Sequence, residues 1–394
     1  MKINVYLEER FVFFDGNYYS QIYDNNFWVR YLNVFDGVVV VARAKKIKKI
    51  EDIPNGYKVN DIKNVEFNML PNYKGLFFSI LSMPYLLVFI LNVIRKSDKN
   101  ILRLPGIISI VAGFFAVFFK KDFAVELVGD PYDVFGSGGV GGGFSKILQY
   151  IFTKFTKFGC YYAKSVAYVT KTKMQDRYPA NSKAQTTHYS SIALPANLIL
   201  KEKNIMNFND GVFNLLMVGS MDQMYKGFDV MLAALHQIKP KYPNIVVHII
   251  GGGKYRSKLD AMVLEFDLVN NVNFLGFLSR DSVFIEMDKS DLFVMPSRTE
   301  GLPRALIEAM ARGLPAIGSN VGGIPELLSK NYIFESENVE QLAALLVRVI
   351  PNQDLRKAMS KENIAKSWDY EETELQSRRE MFYKSLLTDL KEEL

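Results

Sequence analysis

Glu300 and Glu308 stand eight residues apart in SRTEGLPRALIEAMARGLPAIGSN (297–320), and Lys226 precedes a glycine in VGSMDQMYKGFDVMLAAL (218–235). Two carboxylates and a cation, each beside a strand-to-helix turn, could grip hydroxyls and an anion at different depths. In the first stretch the spacing predicts a strand ending at Ser297 and a loop RTEGL. Pro303 then takes the first helical position, where its missing N–H costs nothing. Gly313 closes the helix as a left-handed cap before Pro315. Glu300 thus falls just before a helix amino terminus, whose free N–H groups and partial positive charge suit a phosphate. Gly301 leaves room for close approach. A carboxylate beside a phosphate is repelled, so Glu300 suits the hydroxyls of whatever the phosphate carries. Glu308 lies about one and a half turns further in, off the packing face of Leu306, Ala309 and Met310. Taken alone, that spacing favours a solvated Glu308–Arg312 pair, worth a few tenths of a kcal/mol.

The second stretch shifts the balance. Lys226-Gly227 opens a helix after a strand and a glycine-containing turn, where a lysine meets a diphosphate as a point charge. Two anion sites with two carboxylates fit a nucleoside diphosphate-sugar. The lysine and the amides would hold the diphosphate, one glutamate the sugar and the other the ribose.

Strands and helices must alternate to place these turns. KINVYLE, GVVVVAR, NILRLPG, DFAVELVG and SVAYVT are short, β-branched runs separated by longer apolar-periodic segments, the pattern of a parallel sheet with crossover helices. The alternation restarts after the polar stretch 199–211 with VFNLLMVGS, IVVHIIGGG, VNFLGFL, DLFVMPS and LPAIGSN as strands. The chain therefore reads as α/β with two Rossmann-like, doubly wound domains, 1–200 and 211–365, facing each other across an interdomain cleft. A charged amphipathic helix in 366–394 is expected to pack back on the first domain. The run GSGGVGGG (136–143) lacks a following Gly-Lys-Ser/Thr, so it is a loop and not a P-loop.

At 394 residues, 49% apolar and 23% charged, the composition is that of a folded protein and excludes both a disordered tail and a multi-span membrane protein. Cys160 is the only cysteine. That excludes an intrachain disulfide or a cysteine-based zinc cluster and suits a reducing compartment. The opening MKINVYLEERF lacks a signal-peptide layout, which predicts a cytoplasmic chain. Net charge is +6, without a stripe or motif for nucleic acid. Residues 75–94 are apolar for about the length of a span but broken by Pro84 and Asn92, which favours a buried or membrane-contacting helix. In FSKILQYIFTKFTKF (144–158), Lys146, Lys154 and Lys157 interleave with apolar residues at helical spacing. This fits a helix on an anionic membrane surface, or equally one packed on its own sheet with its lysines in water.

PSRTEGLPRALIEAMARGLPAIGSNVGGIPEL with the upstream VGSMDQMYKG resembles the donor-binding domain of glycosyltransferase family 4, retaining enzymes of the GT-B fold, across 212–328. ILRLPG, VELVGDPYD and AYVTKTKMQDRYP resemble members that build bacterial surface polysaccharides. The resemblance implies that Glu300 contacts the donor sugar and Glu308 the ribose. Gly301 and Leu302 amides with Lys226-Gly227 would hold the diphosphate, and the backbone at Phe277-Leu278 the base. The likeness to those members implies capsule or O-antigen synthesis, while the apolar 75–94 segment and the basic-aromatic 144–158 helix point to a glycan or lipid-linked glycan acceptor and a peripheral place on the inner face of the plasma membrane. Many members carry an arginine where this chain has Ser220, and a histidine where it has Asp130. Asp130 is therefore a candidate for the acceptor site, or simply a cap on the following turn. His188, His236 and His248 fall elsewhere and read as structural.

No Asp-x-Asp pair occurs, so no metal-bridged diphosphate site and no cofactor is expected. Lys226 and helix amides must then meet the leaving-group charge. A two-carboxylate hydrolase is disfavoured by the depth of Glu308. A membrane-associated nucleotide-sugar-binding protein without transfer activity is the alternative.

Overall fold

In a computed structural model of the chain, the described residues are 1–72, 82–136, 144–208 and 211–387. Internal contacts divide the chain into two compact units. One comprises Met1–Tyr132, Lys146–Tyr189 and Gln376–Leu394, and the other Asp133–Ser145 and Ser190–Leu375.

The first unit is built on strands β1 (Lys2–Phe14), β2 (Asn17–Ser20), β3 (Gly37–Lys46), β4 (Lys58–Asn60), β5 (Val65–Pro71), β6 (Lys99–Leu104), β7 (Phe123–Leu127), β8 (Ser165–Tyr168) and β9 (Gln185–His188). The parallel strands run in the order β5-β3-β1-β6-β7-β8-β9, while β2 and β4 add antiparallel beyond a register shift in β1 between Tyr6 and Arg10. Every residue of β7 and β8 is buried, as expected of parallel strands covered on both faces. One of them is charged: Glu126 of β7 is only 2% exposed.

Helices Met83–Lys96, Ile107–Phe118 and Ser145–Tyr162 belong to this unit, apart from Ser145. Of the apolar run 75–94, residues 75–81 lie outside the described residues, as do 137–143 of the glycine run. Among the described residues no helix is long and apolar enough to cross a membrane.

The second unit holds β10 (Phe213–Val218), β11 (Ile245–Ile250), β12 (Val272–Gly276), β13 (Leu292–Met295), β14 (Ala316–Ser319) and β15 (Ile333–Phe334). All pairs are parallel, in the order β12-β11-β10-β13-β14-β15. This is the 3-2-1-4-5-6 Rossmann order, and the strand direction of winding reverses between β10 and β13. Leu215, Met217, Val247, Ile249 and Val294 from the strands pack with Met231, Leu235, Leu342 and Leu346 from the helices, all at most 2% exposed.

The contact boundary at Tyr189/Ser190 precedes the polar stretch 199–211 because that stretch is tied into the second unit. Leu200 N–H donates to Ala311 O (2.9 Å), Arg312 donates to Leu198 O (3.0 Å), and Gln353 donates to Ile205 O (2.8 Å). A polar side chain of the stretch adds to these main-chain bonds, Lys203 Nζ donating to Met287 O (3.1 Å) and Asp288 O (2.8 Å).

Candidate functional site

Two strand-to-helix turns flank the switch point. After β10 the chain passes Gly219 and Ser220 and forms a 3-10 turn, Met224–Lys226, that stops at Gly227 and leads into the helix Phe228–Ile238. Gly227 has φ +68°, and a Cβ there would stand 1.9 Å from Pro296 O, so both the backbone conformation and the approach of the β13 turn require glycine. The stem of Lys226 lies over Gly219, where a Cβ would meet its Cγ at 2.7 Å.

After β13, Ser297 to Pro303 lead into the helix Arg304–Ala311. Pro303 occupies the cap (φ −75°, ψ 109°) and not the first helical position. Its ring still needs no hydrogen bond there, but it has no side-chain oxygen to cap the terminus. Gly313 (φ +63°) closes the helix as a left-handed residue, its N–H donating to Met310 O at 2.9 Å.

The two turns meet at Glu300. Its Oε1 accepts from Lys226 Nζ at 2.6 Å and from Ser297 Oγ at 2.8 Å. Neither Oε2 nor the amides of Gly301 and Leu302 has a hydrogen-bond partner among the described residues. Gly301 O accepts from Gly323 N–H at 2.6 Å, and a Cβ on Gly301 would meet nothing within 4 Å.

Arg298 braces both turns. It forms a two-point pair with Asp229 (2.9 and 2.8 Å), binds Glu337 at 2.7 Å and donates to Met224 O at 2.6 Å, while its own N–H donates to Tyr225 O at 2.7 Å. The bond with Asp229 above all holds its guanidinium even more firmly protonated than usual.

A pocket of about 600 Å³ opens over these turns, lined among others by Gly219, Ser220, Lys226, Glu300, Leu302 and Glu308. Glu308 is not paired with Arg312, which binds Asp288 through two contacts of 2.7 Å. Glu308 instead faces Arg280 at 3.5 Å. Burial pushes its carboxyl up, and Arg280 and Arg304 offset this only in part. Arg304 lines the same pocket and has no ion pair among the described residues. Ser220 Oγ is engaged with Asp222, donating to its carboxylate at 3.0 Å and accepting its N–H at 3.1 Å.

Gly227, Phe277 and Leu278 are not part of this lining. Phe277 is 80% exposed, its ring against Gly252. Asp130, in the first unit, is 5% exposed and fully engaged. It pairs with Arg177, accepts from Tyr178 Oη at 2.6 Å, and accepts Tyr132 N–H at 2.9 Å, which caps the turn after β7. His188 meets Arg378 at 3.2 Å, His236 meets Phe266 O at 3.1 Å, and His248 meets Asn214 at 3.0 Å. Among the described residues no three His, Cys, Asp or Glu side chains group as a metal site requires.

Arg298, Asp229, Ser297 and Arg280 are the site residues that the sequence did not single out. Arg298 and Ser297 lie inside the conspicuous 297–320 stretch, but no local pattern links Arg298 to an aspartate 69 residues away. A first-turn Asp229 reads as an ordinary helix-dipole residue.

Residues 199–366 match the family model for Glycosyl transferases group 1. Protein CapJ of Staphylococcus aureus is 28% identical over 383 residues, covering 95% of this chain and 94% of CapJ. The amylovoran biosynthesis glycosyltransferase AmsK of Erwinia amylovora is 31% identical over 159 residues, 38% of this chain and 39% of AmsK. Among solved structures, Anabaena Alr3699/HepE, determined in complex with UDP and glucose, superposes with a TM-score of 0.65 at 15% identity over 99% of this chain and 100% of that one. Residues 199–366 are thus similar to a group 1 glycosyltransferase domain, within a chain of GT-B fold.

Proposed function

We propose that the chain is a metal-independent, retaining hexosyltransferase that moves a sugar from a nucleoside diphosphate-sugar to a glycan or lipid-linked glycan. The setting would be bacterial surface polysaccharide synthesis of the capsule or O-antigen type, at the inner face of the plasma membrane. AmsK's role in amylovoran biosynthesis supports the setting, and the UDP and glucose in HepE support the donor class.

The observation that carries this reading is the contact of Lys226 and Ser297 with one oxygen of Glu300, over the switch point of a Rossmann sheet. An ammonium has three donors, so Lys226 keeps two for a diphosphate while bound to Glu300. The second Glu300 oxygen is left for sugar hydroxyls. The amides of Gly301 and Leu302 and the uncapped helix terminus add donors for the phosphate. Arg304 is the cation that stands in where Ser220 supplies none. Glu308 takes the ribose, and the backbone at Phe277-Leu278 the base. In the reaction the bond from the anomeric carbon to the diphosphate oxygen breaks as the acceptor oxygen bonds to the same face. The acceptor proton passes to the departing phosphate, whose charge Lys226 and the amides stabilise. Asp130 acts as a positioning residue, since its oxygens already hold Arg177 and Tyr178.

A panel of nucleotide sugars, assayed for hydrolysis and for transfer to membrane extracts, tests this. Donor turnover by wild type that falls in both Glu300→Ala and Lys226→Ala is expected. Tight donor binding with no turnover would replace the enzyme with a nucleotide-sugar-binding protein.

A further inference from the structure

The helix Arg304–Ala311 has a pocket at each end. Its residues Arg304, Ala305 and Glu308 line the pocket at Glu300. Gly313, which closes it, packs on Lys203 and Ser360: a Cβ there would stand 2.9 Å from Lys203 Cβ and 3.1 Å from Ser360 Oγ. Lys203 and Ser360 line a groove of about 520 Å³ between the segment 201–205 and the helix Gln353–Ser367. The groove lies within the second unit and shares no lining residue with the pocket at Glu300. The eight-residue helix between them spans roughly 12 Å.

Four lysines, Lys201, Lys203, Lys357 and Lys361, line the groove against one carboxylate, Glu202. Lys357 and Lys361 stand one turn apart on the same helix face. Lys201 and Lys361 have no ion pair among the described residues, and Lys357 reaches only the exposed Asp354, at 4.0 Å. Lys203 donates to two main-chain oxygens and so keeps one donor of its three. Burial pushes its ammonium down, and Asp288 and Asp291 offset that only in part. Ser360 is 4% exposed, yet its hydroxyl has no hydrogen-bond partner among the described residues. Buried hydroxyls are normally paired, so an unpaired one in the lining of a cationic groove is placed to bond a ligand.

A volume of this size is that of a small-molecule site, roughly 300–1,000 Å³. The excess of lysine over carboxylate draws an anion into it. Arginine matches a planar carboxylate at two points, whereas lysine meets a phosphate as a point charge. The lining has lysines on both walls and no arginine, which suits more than one phosphate. Ile205, Ile364 and Ala365 supply an apolar side that a carbon frame can cover.

We propose that this groove binds a small, multiply phosphorylated ligand, with Lys201, Lys357 and Lys361 at its phosphates and Ser360 donating to one of them. The site is separate from the pocket at Glu300 and does not depend on the glycosyltransferase reading.

The test is binding of fructose 1,6-bisphosphate, tripolyphosphate and citrate to the full chain by calorimetry. Both phosphates should bind, and Lys226→Ala, which removes a cation from the other pocket, should keep that binding. The double change Lys201→Glu, Lys361→Glu, at exposed positions, should weaken both about tenfold. Ser360→Ala should weaken them about threefold. Its urea midpoint should stay near that of wild type, because the free hydroxyl gives up no bond. Tighter binding of the bisphosphate marks a sugar phosphate resting on the apolar side, and tighter binding of tripolyphosphate marks an inorganic oligophosphate. Either order supports the site. No binding of either phosphate would overturn the proposal, as would citrate binding equally well, the mark of a general cationic surface. Binding lost in Lys226→Ala would belong to the pocket at Glu300 and overturn it too. So would binding that the double lysine change leaves intact. A large drop in the midpoint of Ser360→Ala would show a structural partner for the hydroxyl and overturn its assignment to a ligand.

Discussion

Glu126 in the first unit and Glu300 in the second are both carboxylates sunk beside a cation, yet their surroundings differ in one respect. Glu126 is surrounded: Arg103 and Tyr31 (3.0 Å) bind one oxygen, and Tyr189 and Tyr383 (2.8 Å each) bind the other. Glu300 has both of its donors, Lys226 and Ser297, on the same oxygen. A buried charge with every lone pair used holds structure together, because any missing partner leaves an uncompensated ion. A charge with one oxygen spare at a pocket lining has capacity for a ligand. Tyr383 belongs to the helix Glu372–Ser385, so Glu126 also ties that helix to β7.

The largest expected effect breaks the saturated side of this comparison. Glu126→Ala leaves Arg103 buried without its partner and should cost about 3–5 kcal/mol in urea unfolding. A loss below 1 kcal/mol would mean that the tyrosines and water can replace the carboxylate. Glu300→Gln should behave oppositely. Transfer should fall on the order of a hundredfold while the unfolding midpoint moves little, and a large stability loss with activity retained would reverse the roles assigned to the two glutamates.

Arg298→Lys sharpens the comparison at intermediate size. Lysine keeps the charge but cannot bind Asp229 at two points while reaching Met224 O. The turn carrying Lys226 should then loosen, lowering kcat on the order of tenfold, an effect of misplacement rather than lost charge. A rise in KM alone, with kcat unchanged, would place Arg298 in ground-state binding instead.

The contrast also divides what the sequence could disclose. The turns carrying Lys226 and Glu300 were legible because glycine and proline punctuate them and β-branched strands precede them. The helix Arg280–Lys289 was not, since it buries only Phe284 and Met287 and so leaves a weak periodic trace. β2, β4 and β15 are two to four residues long, too short to show alternation. The Glu126 cluster draws Tyr31, Arg103, Tyr189 and Tyr383 from across the whole chain, and no local spacing announces it. Arg312 illustrates the limit for side chains. The i,i+4 pattern offers it Glu308, but the two-point geometry with Asp288 wins.

The smallest effect is in the pH dependence of stability, where Glu126 and Glu308 should act on opposite sides of the ordinary glutamate value of about 4.3. Burial pushes the Glu126 carboxyl up, but Arg103 with the hydroxyls of Tyr189 and Tyr383 outweighs it, and the net direction is down. Its contribution is therefore full above about 4.3 and is lost as pH falls through the depressed folded value. Glu308 is raised, chiefly by burial. Between about 4.3 and its raised value the folded chain keeps a proton that the unfolded chain has released, so stability declines as pH rises through that window. Urea melts of wild type and Glu308→Gln from pH 4 to 7 isolate this. Wild type should lose stability relative to the variant as pH climbs past about 4.3 and then run parallel to it. A gap that stays constant, or moves the other way, would mean that Arg280 at 3.5 Å compensates the buried carboxylate in full. Glu308 would then belong with Glu126 among the saturated charges, and its assignment to a ribose hydroxyl would lose its physical basis.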